Sequence, residues 1–347
     1  MPIRVETVVT GLSVPWGIAF LPDGSMLVTE RPGRVRRVRE GRLDASPVVT
    51  IPVAAEGEGG LMGLALHPDF ARSPRFFVYY TARRGEATVN RVERYRLSGD
   101  FTTATADGVI ADGIHAGENH DGGRLRVGPD GMLYVATGDA REPDRSRDPA
   151  SRSGKLLRLT PEGAAPDDNP RRGSLVYLSG LRNLQAFDWR ADGSIVLADH
   201  GPSGERLLRG HDEVTVARAG DDLGWPTAWG CRAHPGLRPA SLSWREATPP
   251  GGGALYTGSS IPEWRGDFIV ATLGSRHLHR VSFDPTAPDR VRLHEVYLQG
   301  DPPSGHGRLR EAVMGPDGHL YVTTSNCDGR GSCPPDRDRV LRVVGGA

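Results

Sequence analysis

The feature that most constrains this chain is a unit that recurs six times: an apolar stretch, a turn, and a second apolar stretch. The clearest copy is LRVGPDGMLYVATGD, residues 125–139. Apolar residues alternate on both sides of its turn, the period-two signature of strands. Pro129 cannot donate to a strand ladder, and Gly131 tolerates the positive φ that a tight hairpin needs. The other copies are 14–30 (VPWGIAFLPDGSMLVTE), 61–81 with a lengthened turn, 184–201, the divergent 253–274, and 309–326. A more polar element follows each copy, such as RVRRVREG after the first and DRVLRVVGG after the last. These elements suit the outer strands of a sheet.

Six units over 347 residues take about 58 residues each, above the roughly 40–50 of short-blade propeller repeats. The excess goes into inter-strand loops. The pattern therefore predicts an all-β chain forming one domain over 1–347: a six-bladed β-propeller of four-stranded antiparallel blades. Closure needs both chain ends in one blade, and RVETVVTG at 4–11 is the strand expected to complete the sheet ending in 338–344. A closed ring leaves fewer exposed edges than an open sandwich. The 46 glycines and 28 prolines, about a fifth of the chain against an average of roughly 12%, favour turns and short strands over long helices.

Forty-three basic residues balance forty-three acidic ones, so no global field draws the chain to nucleic acid or to an anionic membrane. The run Arg34–Arg39 alternates with valines and reads as a solvated strand face. No apolar stretch approaches the ~18 residues of a membrane span. The start, MPIRVETVVTGL, lacks the apolar core of a signal peptide. Cys327 and Cys333 share the loop CDGRGSC, where a bridge and two free thiols are equally open; Cys231 is left over. No further Cys or His stands at zinc-finger spacing.

Residues outside the repeat gather in connecting loops, where propellers usually carry function. His120 lies in ENHDGGRL; Arg182, Asn183 and Gln185 lie in SGLRNLQAF. Residues 198–214, ADHGPSGERLLRGHDEV, follow the fourth unit's inner strand, and GRLRE places Arg308 and Arg310 on one face if extended. Singly, each has an ordinary reading: a surface histidine, solvated arginines, a charged turn at Asp212–Glu213. Together they offer a base, three arginines suited to a polyanion, and carboxylates with loop carbonyls suited to calcium. No phosphate-cradling glycine loop and no Gly-x-Ser-x-Gly elbow is present.

The motifs GLMGLALHPDF, H-x-GGRL, GKLLRLTPEG, LRNxQ, HGPSGE…HDEV, GWP and GRLRE run in order over essentially the whole chain. In these the chain resembles the soluble PQQ-dependent aldose sugar dehydrogenases, the glucose/sorbosone dehydrogenase family. The resemblance implies a six-bladed propeller that binds pyrroloquinoline quinone (PQQ) and calcium. It also implies oxidation of an aldose at its anomeric carbon to the lactone, by hydride transfer to PQQ. Carried over by motif, His120 would take the anomeric hydroxyl proton, and Arg182 would stabilise negative charge developing on the quinone oxygen. Asn183 would contact the cofactor, Arg308 and Arg310 would meet its carboxylates, and Glu58 stands where the family often has a cofactor-contacting glutamine. The carbonyls of Gly201 and Pro202 would bind the catalytic calcium with Asp212 in its outer shell; Glu213 would help hold a second, structural calcium.

The chain departs from the family pattern at Gly274, where members often carry a lysine, and at Leu184, where Arg-Asn-Pro-Gln has proline. The aldose substrate would be joined by an electron acceptor that the sequence does not identify, and a monomer or homodimer in a periplasmic or extracellular setting is expected. Two other classes compete. One is a cofactor-free propeller that binds a partner through a degenerate site. The other is a calcium-dependent lactonase, which needs several side-chain ligands converging on the central channel; only Asp212 and Glu213 are candidates.

Overall fold

A computed structural model of the chain describes residues 3–205 and 209–346. Its strands form six antiparallel sheets, one for each sequence unit. The strands nearest the axis are Pro15–Phe20, Leu61–Leu66, Leu125–Val127, Leu184–Trp189, Pro250–Leu255 and Leu309–Met314. Five sheets have four strands; the first has a fifth because its outer position is shared by Arg42–Leu43 and Val49–Thr50. The strand Ile3–Leu12 closes the ring by pairing antiparallel with Asp338–Gly345, from Ile3 opposite Gly345 to Leu12 opposite Asp338. Among the described residues no helix is long and apolar enough to cross a membrane.

The hairpins form where the turn chemistry is local. Asp130 Oδ1 accepts the Met132 amide at 3.1 Å, and Gly131 takes φ +75°. Asp23, Asp192 and Asp317 each accept the amide two residues on in the same way, at 3.0–3.2 Å. The aspartate supplies the partner that the turning backbone lacks. Apolar faces of neighbouring blades then close on one another: Phe77 and Tyr79 of the second blade pack with Leu133, Val135 and Leu157 of the third, all fully buried.

Two expectations need correction. The polar elements are third strands rather than outermost ones, and Leu156–Leu159 and Glu213–Ala217 are buried throughout. Neighbouring blades cover them, and their charges are paired instead of solvated: Arg158 reaches Asp130 at 2.9 Å and Asp168 at 2.7 Å. The run Arg34–Arg39 is not simply a solvated face either. Arg37 is buried and donates to Ser25, to Asp23 and to the Asp100 carbonyl, locking the first hairpin. In the CDGRGSC loop, Cys327 and Cys333 are bridged, and Cys231 is free and exposed.

The axis is closed at its waist by one side chain. Arg124, at the start of the third blade, donates from Nε to Gln185 O at 2.9 Å and from Nη2 to Gly251 O at 2.7 Å. Its Nη1 pairs with Glu311, and its guanidinium lies 4.3 Å from the Trp16 ring centroid. The glycine run of the fifth blade makes room for it: a Cβ on Gly252 would stand 2.9 Å from Arg124 Nη2 and 2.8 Å from Glu311 Oε1. On one side of this waist a cavity of about 960 Å³ opens between the far ends of the inner strands, near Phe20, Leu66, Arg126 and Trp189. On the other side lie the loops that carry the sequence candidates.

Candidate active site

His120 sits in the loop before the third blade with φ +66°. The segment Thr137–Asp139 passes so close that a Cβ on Gly138 would stand 1.8 Å from His120 O, so only glycine permits the approach. The result is a hydrogen bond from His120 Nδ1 to Asp139 Oδ1 at 2.8 Å, while Trp225 Nε1 donates to Asp139 Oδ2 at 2.9 Å. Both Asp139 oxygens already accept, from the Arg141 amide at 2.9 Å and the Trp225 indole, so Nδ1 is the donor and Nε2 presents a lone pair. Glu58 fixes the same loop from the second blade by accepting the His120 amide at 3.0 Å. Burial pushes the Glu58 carboxyl up, but the His120 amide and the Arg330 guanidinium outweigh it and hold it at about 2.

Arg182 and Asn183 are oriented through their backbones, whose amides share the Asp199 carboxylate at 2.8 Å each. Burial pushes the Asp199 carboxyl up to about 6 against those bonds. The Arg182 side chain is 1% exposed; Nη2 donates to Glu205 Oε1 at 2.8 Å, and the guanidinium lies 5.6 Å from the Trp225 ring centroid. Its Nε and Nη1 are buried and have no hydrogen-bond partner among the described residues. Arg308 and Arg310 approach one carboxylate, Asp328 Oδ2, at 2.9 Å and 3.8 Å. Asp328 belongs to the bridged Cys327–Cys333 loop, which also delivers Arg330 to Glu58 Oε1 at 2.6 Å and to Asn119 Oδ1 at 2.9 Å.

The structure thus brings the six expected cofactor residues together. Glu58, His120, Arg182 and Arg308 line a cavity of about 290 Å³ together with Arg330 and Gly274. Asn183 and Arg310 line a smaller recess beside Trp16, and Glu58 belongs to both. The lysine-free position, Gly274, leaves four arginines around the cavity: Arg141, Arg182, Arg308 and Arg330. His200 also lines both spaces, but its Nε2 lies 2.7 Å from Pro250 O, which commits it to the backbone.

None of the expected calcium residues Gly201, Pro202, Asp212 and Glu213 lines this cavity. Asp212 accepts the Gly201 amide at 3.0 Å and the Thr248 amide at 2.6 Å, so it orients the Gly201–Pro202 backbone from behind. Glu213 accepts the Gly230 amide at 2.7 Å, and burial, with Asp199 and Asp212 nearby, pushes its carboxyl up to about 8. Among the described residues no three His, Cys, Asp or Glu side chains converge as a metal cage. Residues 206–208 of the 198–214 segment lie outside the described residues.

Sequence reasoning missed Asp139, Glu205, Trp225, Asp328 and Arg330 as members of the site. Asp139 closes the TGD that ends the third hairpin, and Trp225 lies in GWP, so both had a local signal. Asp328 and Arg330 stood in CDGRGSC, a loop whose charged residues were assigned no role.

The glucose/sorbosone dehydrogenase family model matches residues 12–333. A putative oxidoreductase (glucose dehydrogenase) from Thermus thermophilus is 45% identical, with 99% of this chain and 100% of that one covered and a TM-score of 0.90. The PQQ-bound form of an aldose sugar dehydrogenase from Streptomyces coelicolor is 32% identical over 99% of this chain and 98% of that one, with a TM-score of 0.86. An aldose sugar dehydrogenase of Escherichia coli is 30% identical over 94% of this chain and 91% of its own length. Sequence and fold agree: the chain belongs to the glucose/sorbosone dehydrogenase family.

Proposed function

We propose that this chain oxidises an aldose sugar at its anomeric carbon to the lactone, with PQQ as redox cofactor and calcium as its metal. The observation that carries the reading is the buried Arg182 guanidinium, whose Nε and Nη1 have no acceptor among the described residues. Burying charged donors unmatched is costly, so the site is built for a ligand that brings oxygen acceptors. PQQ does so with its carboxylates and quinone oxygens. Arg308 and Arg310 would meet the carboxylates, Asn183 would add a polar contact, and Arg182 would face the quinone. Glu58 would act on the cofactor mainly through the groups it holds, His120 and Arg330.

When bound, PQQ supplies the acceptor for the two electrons that leave the sugar. His120 Nε2 takes the anomeric hydroxyl proton, and Asp139 stabilises the imidazolium so formed through Nδ1. Calcium would rest on the carbonyl oxygens of Gly201 and Pro202, a hard-ligand set suited to that cation, with Asp212 behind. Glu213, whose buried carboxyl lies close to Asp199 and Asp212, would give up its proton to help hold a second calcium. The test is dye reduction by purified protein supplied with a panel of aldoses, with and without added PQQ and calcium. Sugar-dependent reduction only with PQQ present is expected. No reduction of dye by any aldose with both added would overturn the reading.

A further inference from the structure

Three of the four arginines around the cavity already have a carboxylate. Arg182 pairs with Glu205 at 2.8 Å, Arg308 with Asp328 at 2.9 Å and Arg330 with Glu58 at 2.6 Å. The Arg141 side chain makes no ion pair or hydrogen bond among the described residues, and it lines the cavity together with His120. Exposure separates it as well. Arg182, Arg308 and Arg310, the partners proposed for the cofactor, are buried, whereas Arg141 is exposed to whatever arrives from solvent.

Arg141 is nonetheless tied to the base. Asp139 Oδ1, which holds His120 Nδ1 at 2.8 Å, also accepts the Arg141 amide at 2.9 Å. The Ala140 amide donates to His120 O at 3.0 Å. These bonds keep Ala140 at φ +52° and Arg141 at φ +65°, left-handed conformations that residues with a Cβ seldom adopt. The loop before His120 backs the same turn, since a Cβ on Gly117 would stand 2.7 Å from Ala140 O. One carboxylate therefore sets both the ring of the base and the backbone from which the unmatched guanidinium extends.

A sugar reacting here places its anomeric hydroxyl at His120 Nε2 and leaves its other substituents for the rest of the cavity. A carboxylate or phosphate matches the planar fork of a guanidinium with two charge-assisted bonds, which a neutral hydroxyl does not. Building on the proposed function above, we propose that Arg141 is a substrate-specificity residue that selects aldoses carrying an acidic group away from the anomeric carbon.

The experiment uses the full chain reconstituted with PQQ and calcium, and compares glucose and galactose with their uronic acids and their 6-phosphates by dye reduction. The wild type is expected to show a kcat/KM at least about tenfold higher for one acidic class than for the neutral parent, through KM. Preference for the uronic acids identifies the substrate as a sugar acid; preference for the 6-phosphates identifies a phosphorylated sugar. Added salt should narrow the gap, because the guanidinium is exposed. Arg141→Gln is expected to bring the ratio of acidic to neutral sugar close to one, and Arg141→Lys to keep part of it. PQQ affinity of the cofactor-free protein, read by quenching of tryptophan fluorescence, should stay close to the wild type's in both variants. The wild-type comparison needs no variant to fold. Neutral sugars used as well as or better than both acidic classes, or a preference that persists in Arg141→Gln, would overturn the inference and leave the proposed function standing. A large loss of PQQ affinity in Arg141→Gln would assign the residue to the cofactor and overturn it too. Failure of every aldose, acidic or neutral, to reduce dye would overturn the proposed function itself, and the inference with it.

Discussion

His120 Nδ1 lies 2.8 Å from Asp139 Oδ1, and both side chains are buried. That bond selects the tautomer that leaves Nε2 free to act as a base. His120→Ala is therefore expected to lower turnover by about 10²–10⁴ with PQQ still bound, the usual range for a lost general base. Asp139→Asn is expected to lower turnover by at least about tenfold, because its amide can donate to Nδ1 and favour the wrong tautomer. His200→Ala, whose parent ring is committed to Pro250 O, should do less at saturating calcium. Steady-state rates after reconstitution check all three, and near-normal turnover in His120→Ala removes the mechanism.

Chelation is expected to abolish dye reduction and calcium to restore it. In the same samples, added calcium should raise the melting temperature, by about 2.7 kcal/mol of stability at a hundredfold excess over its dissociation constant. Restoration by zinc but not by calcium would contradict the oxygen-ligand set at Gly201 and Pro202.

The Glu58–Arg330 pair makes an acid-sensitive contribution to stability. Glu58 titrates at about 2 in the folded chain, below its ordinary 4.5. A depressed carboxyl stabilises the fold above the unfolded value and loses that contribution as pH falls from about 4.5 toward 2. Denaturant unfolding of the wild type and Glu58→Gln should differ by on the order of 2 kcal/mol at pH 6, and the difference should close near pH 2. A difference independent of pH would show that the pair acts through packing alone.

Breaking the axial ion pair on one side should be worse than removing both charges. Arg124→Met leaves Glu311 buried and unpaired, at a cost of about 3–5 kcal/mol. Adding Glu311→Gln should recover part of that loss. Urea unfolding of the single and double variants decides it, and a single variant as stable as the wild type would remove Arg124 from its place as the tie between blades.

What was legible in the sequence was local. The aspartate and glycine of four of the six turns act within two or three residues, so those hairpins announced themselves. Outer strands such as Val176–Leu178 and Leu242–Ser243 are too short to show a period, and they exist because a third strand offers them an edge. The site divides in the same way. His120, Arg182 and Arg308 lie in loops flanking inner strands, Arg310 is the second residue of one, and all four carry recognisable neighbours. Arg330 reaches Glu58 across 272 residues of chain, and Asp328 gains its meaning only where Arg308 and Arg310 meet it. Such relationships are made by ring closure, which no window of sequence contains.

The waist formed by Arg124 makes the propeller a cup and not a tube. Its guanidinium is bonded to the fourth, fifth and sixth blades and stacked on the first, so the axis offers no passage from the large far cavity to the site. On the proposed function, sugar and lactone exchange through a single mouth. Each turnover ends with the product leaving by the way its precursor came in, and excess lactone should compete directly with the next sugar for entry.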